Sequence, residues 1–213
     1  HDTEGRDDTD PLTEKLEIYE TDALTDRFIA FLEKQKSGNP FFGVLSVQPP
    51  HDPYVAPPEY AEKYDAESIQ LRPNVPDIPR ITEPARKDLA GYYAMIENLD
   101  WNVGRILDTL EKQGLSDETH IFFFSDHGDS HGSHGHFRKS NPYEEALRIP
   151  CIVLPAGGNR VRESSDAPFN HVDFAPTSLG LCGIDIPDWM EGTDFSHHII
   201  PGRTKPDTEL TSA

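Results

Sequence analysis

Cysteine and basic charge are what this sequence lacks most. Its 213 residues hold two cysteines, and 19 Lys and Arg stand against 38 Asp and Glu, a formal net charge of −19. A surface this acidic disfavours nucleic acid and anionic membranes, and its long-range field would repel an anionic substrate. If the substrate is an anion, local Lys, His or a metal must supply the attraction. Cys151 opens the apolar run CIVLP and Cys182 closes an apolar helix-like stretch, so both are expected to be buried small hydrophobes rather than a disulfide or a metal pair. No apolar run is long enough to cross a bilayer. No signal peptide is visible. The first residues, HDTEGRDDTDPLTEK, lack Met and do not read as a native start.

What is present alternates between helical and strand-like patterns. Residues 21–36, TDALTDRFIAFLEKQK, repeat Leu24, Phe28, Ile29, Phe31 and Leu32 at helical spacing, with Thr21 or Asp22 as the expected cap. After the break at Gly38, Asn39 and Pro40, the run FFGVLSV (41–47) predicts a strand buried on both faces. It empties into a proline-stiffened loop, QPPHDPYVAPPEY. Residues 55–84 read as a Pro-rich surface excursion, irregular from Arg72 to Pro84. Residues 85–112 predict the longest helix, with Leu89, Tyr93, Ile96, Leu99, Val103, Ile106, Leu107 and Leu110 on its buried stripe. Short strands are expected at 121–124 and 149–154, and a short helix at 173–181. Helices alternating with buried strands imply an α/β fold with a mostly parallel sheet covered on both faces.

The chemistry gathers where the second strand ends, in FFFSDHGDSHGSHGHFRK (122–139). In open α/β sheets ligands sit beyond the carboxyl ends of the strands, and the loop carrying His51 is expected at the same edge. Asp126 and His127 are adjacent, and Gly128 lets the chain turn so that both could face one ion. A carboxylate with an imidazole suits Zn, Mn or Fe, whereas Ca or Mg would need further oxygen ligands. For His131, His134 and His136 the alternative to ligation is a loop histidine bonded to backbone, since Gly128, Gly132 and Gly135 argue against a helix that would align them. Lys139 beside a cation is repelled unless an anion lies between them, which suggests a bridging sulfate or phosphate oxygen; the alternative is a solvated base. His51, held by Pro49, Pro50 and Pro53, could donate a proton to a leaving group, or simply cap a turn. Glu144 and Glu145 suit the start of a helix after Pro142.

These residues resemble the sulfatase family of the alkaline-phosphatase-like superfamily. The resemblance rests on LSVQPPHDPY (45–54), FFFSDHGD (122–129), GSHGHFRK (132–139) and PYEEALRIPCIVLP (142–155). The helix YYAMIENLDWNVGRILDTL and the tail HVDFAPTSLGLCGIDIP add to it, all in family order. It implies a mostly parallel or mixed central sheet sandwiched between helices. Asp126 and His127 would be half of a divalent cation site, usually Ca2+. Lys139 would contact the sulfate, and His51 would lie beside the scissile ester oxygen. His134 is a further substrate-binding candidate. The resemblance also implies a formylglycine nucleophile, a small-molecule or carbohydrate sulfate ester as substrate, and a periplasmic or secreted enzyme, with room for a homo-oligomer.

The sequence departs from the family pattern at the nucleophile. Neither cysteine opens a Cys/Ser-x-Pro/Ala-x-Arg motif, and TEPAR (82–86) has threonine where Cys or Ser is required. The aspartate pair that would complete the cation site is also absent. The end, TKPDTELTSA, falls before the small C-terminal subdomain of the family. Residues 1–213 are therefore expected to be a partial sulfatase-type α/β domain, without turnover if they are the whole polypeptide. Two other readings stay open: a phosphodiesterase or phosphonate hydrolase of the same superfamily, and a catalytically inactive binding module or half-domain.

Overall fold

A computed structural model describes residues 18–157 and 164–200. The opening HDTEGRDDTDPLTEK and the closing TKPDTELTSA lie outside the described residues. The chain divides into two compact units. The described part of the first holds residues 18–116 and 127–148, and that of the second holds 117–126, 149–157 and 164–200.

The first unit is built on two helices, α1 (Glu20–Leu32) and α3 (Pro79–Lys112), with the single-turn helices α2 (Pro58–Ala61) and α4 (Glu144–Leu147). Tyr19, not Thr21 or Asp22, is the N-cap of α1, and its side chain makes no cap bond. Asp22 is engaged elsewhere: its Oδ1 accepts the amide N–H groups of Asn98, at 2.9 Å, and Asn102, at 2.7 Å. Buried amides need such partners, and a charged acceptor makes the bonds stronger than neutral ones. That explains how α3 buries two asparagines.

The buried stripe of α3 differs from the expected one. It consists of Ala85, Leu89, Ala90, Ala94, Met95, Asn98, Asn102, Thr109 and Leu110, whereas Tyr93 and Ile96 are exposed. Small residues let neighbouring backbone approach where the larger apolar residues would hold it off. At Gly91 an added Cβ would collide with the Tyr54 carbonyl, so the loop around Tyr54 lies directly on the helix. The helix also starts at Pro79 rather than Ala85, because Pro at the first helical position needs no N–H partner. TEPAR thus lies inside α3.

The run 41–47 forms no strand: Phe42 and Val44 are 85% and 70% exposed. A continuous apolar run does not by itself supply a ladder partner, and only part of this one is covered. The covered part lies on α1, whose Phe31 ring meets Phe41 edge-on at 6.0 Å and whose Phe28 ring abuts Gly43.

The second unit pairs β1 (Ile121–Phe124) with β2 (Cys151–Leu154), antiparallel, with Ile121 opposite Leu154 and Phe124 opposite Cys151. These are the strands expected at 121–124 and 149–154. Helix α5 (Phe174–Cys182) packs Phe174 on Phe124 at 3.9 Å between ring centroids, and α6 (Ser196–Ile199) follows. Asn170 and Asp173 form a capping box on the 3-10 turn His171–Asp173 that leads into α5, and Asp173 also accepts the Thr193 N–H at 2.7 Å. Both cysteines are free, and both are exposed rather than buried as expected. Cys151 opens β2, at the end where its opposite number Phe124 is also exposed, and Cys182 ends α5 ahead of the left-handed Gly183. Among the described residues no helix is long and apolar enough to cross a membrane.

Gly91→Ala should lower stability by about 1–3 kcal/mol through overpacking, even though alanine is the better helix former. A urea titration with an unchanged midpoint would show that the Tyr54 loop does not bear on α3.

Candidate active site

The first unit brings the loop 49–54 against the segment 127–140. Asp129 organises the contact. Its Oδ1 accepts the backbone N–H of His131 at 3.2 Å and of Arg138 at 3.0 Å, and its Oδ2 accepts the Tyr54 hydroxyl at 2.7 Å. Burial works to raise this carboxyl, but the Tyr54 hydroxyl, His131 and the two N–H groups outweigh it and hold the pKa below the usual value. Desolvation, aided by the same bond to Asp129, pushes the Tyr54 phenol far above its ordinary range. Tyr54 therefore stays a donor.

Arg138 ties the two segments together a second time. Its Nη1 donates to the Tyr54 hydroxyl at 2.7 Å and to Asp88 Oδ2 at 3.3 Å, its Nε lies 3.2 Å from Asp52 Oδ1, and its guanidinium sits 5.0 Å from the centre of the Tyr54 ring. Its backbone is left-handed (φ 65°), as are those of His131 (43°), His134 (54°) and Ser140 (77°). Such conformations persist in non-glycine residues where the surroundings over-determine them. Here the bonds to Asp129 do so for His131 and Arg138, and the Asn74 carbonyl, which accepts the His134 N–H at 2.9 Å, does so for His134. Gly128 is required as well, because a Cβ there would overlap the Glu145 carbonyl while its N–H donates to Ala146 O at 2.9 Å.

Three of the expected site residues meet as a result. His51 Nε2 and Lys139 Nζ are 2.7 Å apart, and the rings of His51 and His127 stand edge-on at 6.5 Å. His51 Nδ1 is 2.7 Å from the Asp52 carbonyl oxygen, which can only accept, so Nδ1 carries the proton and Nε2 presents its lone pair to the Lys139 ammonium. His127 Nδ1 likewise faces the Gly128 carbonyl at 2.8 Å, which makes Nε2 its lone-pair nitrogen. That is the arrangement of a metal-ligating histidine, whose other nitrogen is held by an acceptor. His127 and Lys139 line an open cleft of about 500 Å³ with Ser140, Asn141, Pro142, Ala146 and Leu147.

Asp126 immediately precedes His127 and offers a carboxylate. A carboxylate and an imidazole would suit a divalent cation in donor type but fall short in number, since Ca2+ takes about 6–8 oxygens. Among the described residues no group of three or more His, Cys, Asp or Glu is arranged to hold an ion. His134 is placed elsewhere: it stacks on Tyr143 at 4.0 Å, with Nε2 3.1 Å from Asn74 Nδ2 and 3.6 Å from Glu145. It is not among the residues lining the cleft. Glu144 and Glu145 open α4, as their sequence context suggests.

The sequence reading passed over Asp52, Tyr54, Asp88 and Asp129. Tyr54 and Asp129 are 75 positions apart, so spacing could not pair them. The one local sign was an Asp directly after Gly128, a residue type that bonds to backbone in turns.

The sequence matches the family described as Sulfatase over residues 2–184. It is 36% identical over 186 residues to the ulvan-active sulfatase of Formosa agariphila, covering 85% of this chain and 36% of that protein. A solved structure of yidJ from Bacteroides fragilis aligns with a TM-score of 0.78 at 31% identity, covering 91% of this chain and 43% of that one. The phosphonate monoester hydrolase SpPMH from Silicibacter pomeroyi also aligns with a TM-score of 0.78, at 25% identity, covering 90% of this chain and 43% of that one. The chain thus spans well under half the length of these relatives.

Two outcomes follow from the geometry. Tyr54→Phe removes a donor from Asp129 and an acceptor from Arg138, and should cost about 1–3 kcal/mol in chemical denaturation. His131 is 2% exposed, neither ring nitrogen has a hydrogen-bond partner, and its Nδ1 is 3.8 Å from Asp129 Oδ1. Desolvation lowers its pKa despite the opposing pull of Asp129 and Asp88, with Arg72 and Arg138 acting in the same sense as burial. The unfolded chain then binds more protons just below the ordinary histidine value, so stability is retained above about pH 6.5 and falls as pH drops below it. His131→Asn, whose side chain tolerates the left-handed backbone, should start less stable but lose less between pH 7.5 and 5.5. Equal losses in both proteins would remove His131 from the acid response.

Proposed function

The chain belongs to the sulfatase family, and from that premise we propose that it carries the leaving-group side, and part of the cation site, of a sulfuric ester hydrolase. The observation that supports this reading is that His51, from a distant segment, meets Lys139 and His127, two residues that line one cleft. The substrate is a small-molecule or carbohydrate sulfate ester.

Lys139 offers its ammonium to a sulfuryl oxygen and offsets charge that grows there in the transition state. His51, once protonated at Nε2, gives that proton to the departing ester oxygen and returns to the Nδ1–H form seen in the structure. In an acidic chain of net charge −19, anion binding depends on such local cations. Sulfatases use a metal ion and a formylglycine; here Asp126 and His127 would hold the cation, Ca2+ by resemblance, polarising the sulfate, with the nucleophile expected upstream. Periplasmic or secreted placement belongs to the same proposal.

A second reading is hydrolysis of a phosphonate or phosphodiester, which takes support from the likeness to the phosphonate monoester hydrolase. The two anions place similar demands on Lys139 and His51.

In the full-length enzyme, Lys139→Ala should lower kcat/KM for an aryl sulfate by about 10²–10³-fold, as loss of a charge-stabilising donor does, without changing Tm. Unchanged kinetics would remove Lys139 from the site. A wild-type preference for an aryl phosphonate over the matching sulfate would move the assignment to the second reading. Asp126→Asn should reduce the divalent metal retained after dialysis, and unaltered metal content would count against its role as a ligand.

A further inference from the structure

Asp52 takes no direct part in the chemistry of Lys139 and His51. Asp52 stands between the proton donor and the clamp: its Oδ1 is 3.3 Å from His51 Nδ1 and 3.2 Å from Arg138 Nε. We propose that Asp52 is a positioning residue for His51, locked by Arg138, and that this pair governs how well the site expels poor leaving groups. The inference rests on the reading of His51 as the leaving-group acid.

An imidazole on an exposed loop can rotate, and rotation exchanges the nitrogen that faces the ester oxygen. His51 is fixed at both ends instead. Lys139 Nζ meets Nε2 at 2.7 Å, while the carbonyl and carboxylate of Asp52 both address Nδ1. A side chain free in solvent would hold neither itself nor its neighbour. Asp52 is not free, because the guanidinium beside it is immobilised by the Tyr54 hydroxyl, by Asp88 and by the Tyr54 ring, while its own backbone N–H donates to Asp129. Arg138 also directly precedes Lys139. A single anchored residue thus fixes the partner of Nδ1 through its side chain and the partner of Nε2 through the chain. A base-orienting carboxylate of this kind serves hydrolases in which an imidazole must keep one nitrogen aimed at the reacting oxygen.

The distinguishing consequence concerns the leaving group. An alkyl alcohol departs only with a proton, whereas a nitrophenolate departs without one. General acid catalysis supplies roughly 10²–10⁴-fold, and misorienting the acid forfeits part of that for alkyl esters only. A fault in folding or in sulfate binding lowers both substrates alike.

The test uses the full-length enzyme with an alkyl sulfate and 4-nitrophenyl sulfate. His51→Ala comes first: a larger loss on the alkyl ester upholds His51 as the acid, and equal losses refute that reading and with it this one. Asp52→Ala should then lower kcat for the alkyl ester by about tenfold, a part of the general-acid contribution, with KM little changed and the nitrophenyl ester nearly unaffected. Asp52→Asn keeps an oxygen near Nδ1 and should recover most of the loss; it also serves if the alanine variant fails to fold. With the His51 result positive, Asp52 variants that lose equally on both esters, or on neither, overturn the proposal.

Discussion

The carboxylate of Asp129 is the constraint on which the candidate site depends. A half-buried anion must be met by donors, and this one is met by a phenol from a distant loop and two N–H groups of its own loop. Satisfying it closes the chain between residues 129 and 138 and draws Tyr54 onto that closed loop. Everything chemical is attached to one of those ends. His51 lies three positions before Tyr54, and Lys139 one after Arg138. Each bond here involves a charged partner, so each is worth more than an ordinary surface contact and more costly to leave unmade.

The same constraint accounts for part of the unusual backbone, at His131 and Arg138. Four non-glycine residues between 131 and 140 are left-handed, two of them, Arg138 and Ser140, of types that rarely adopt that region. Their cost is offset by the satisfied carboxylate and by the Arg138 contacts. The result is a rigid carrier for Lys139 with an open cleft beside it. Rigidity matters because orientation is a large part of what such a site contributes. The surrounding charge is opposed to anion binding, so the attraction has to be short-ranged and accurately placed.

The support beneath the site follows from small residues and buried amides in α3. Gly91 admits the Tyr54 carbonyl, and Ala85 and Ala94 leave room where larger side chains would stand off. Asn98 and Asn102 enter the interface with α1 because Asp22 accepts from both. A helix that shows its bulky residues Tyr93 and Ile96 to solvent gains less from apolar burial than its composition suggests. It gains close approach instead.

Residue types and short-range order were legible from the sequence alone. The strand at 121–124, the turn after it at Gly128, the helix start at Glu144 and the family likeness all rest on contacts within a few residues or on motif order. The candidacy of His51, Asp126, His127 and Lys139 was legible too, because their residue types limit what chemistry they can do. The run 41–47 forms no strand because apolar content by itself guarantees neither burial nor a ladder partner: Phe41 and Gly43 meet α1, while Phe42 and Val44 stay exposed. The stripe of α3 differs because amphipathic counting ranks asparagine as exposed, whereas Asp22 and Arg105 supply the partners that make burial of Asn98 and Asn102 tolerable. Tertiary structure alone decided that His51 meets Lys139 across 88 positions, and that Tyr54, Asp129, Arg138 and Asp52 hold them. Hydrogen bonds between distant segments leave no period in a sequence, because their geometry exists only once the chain has closed.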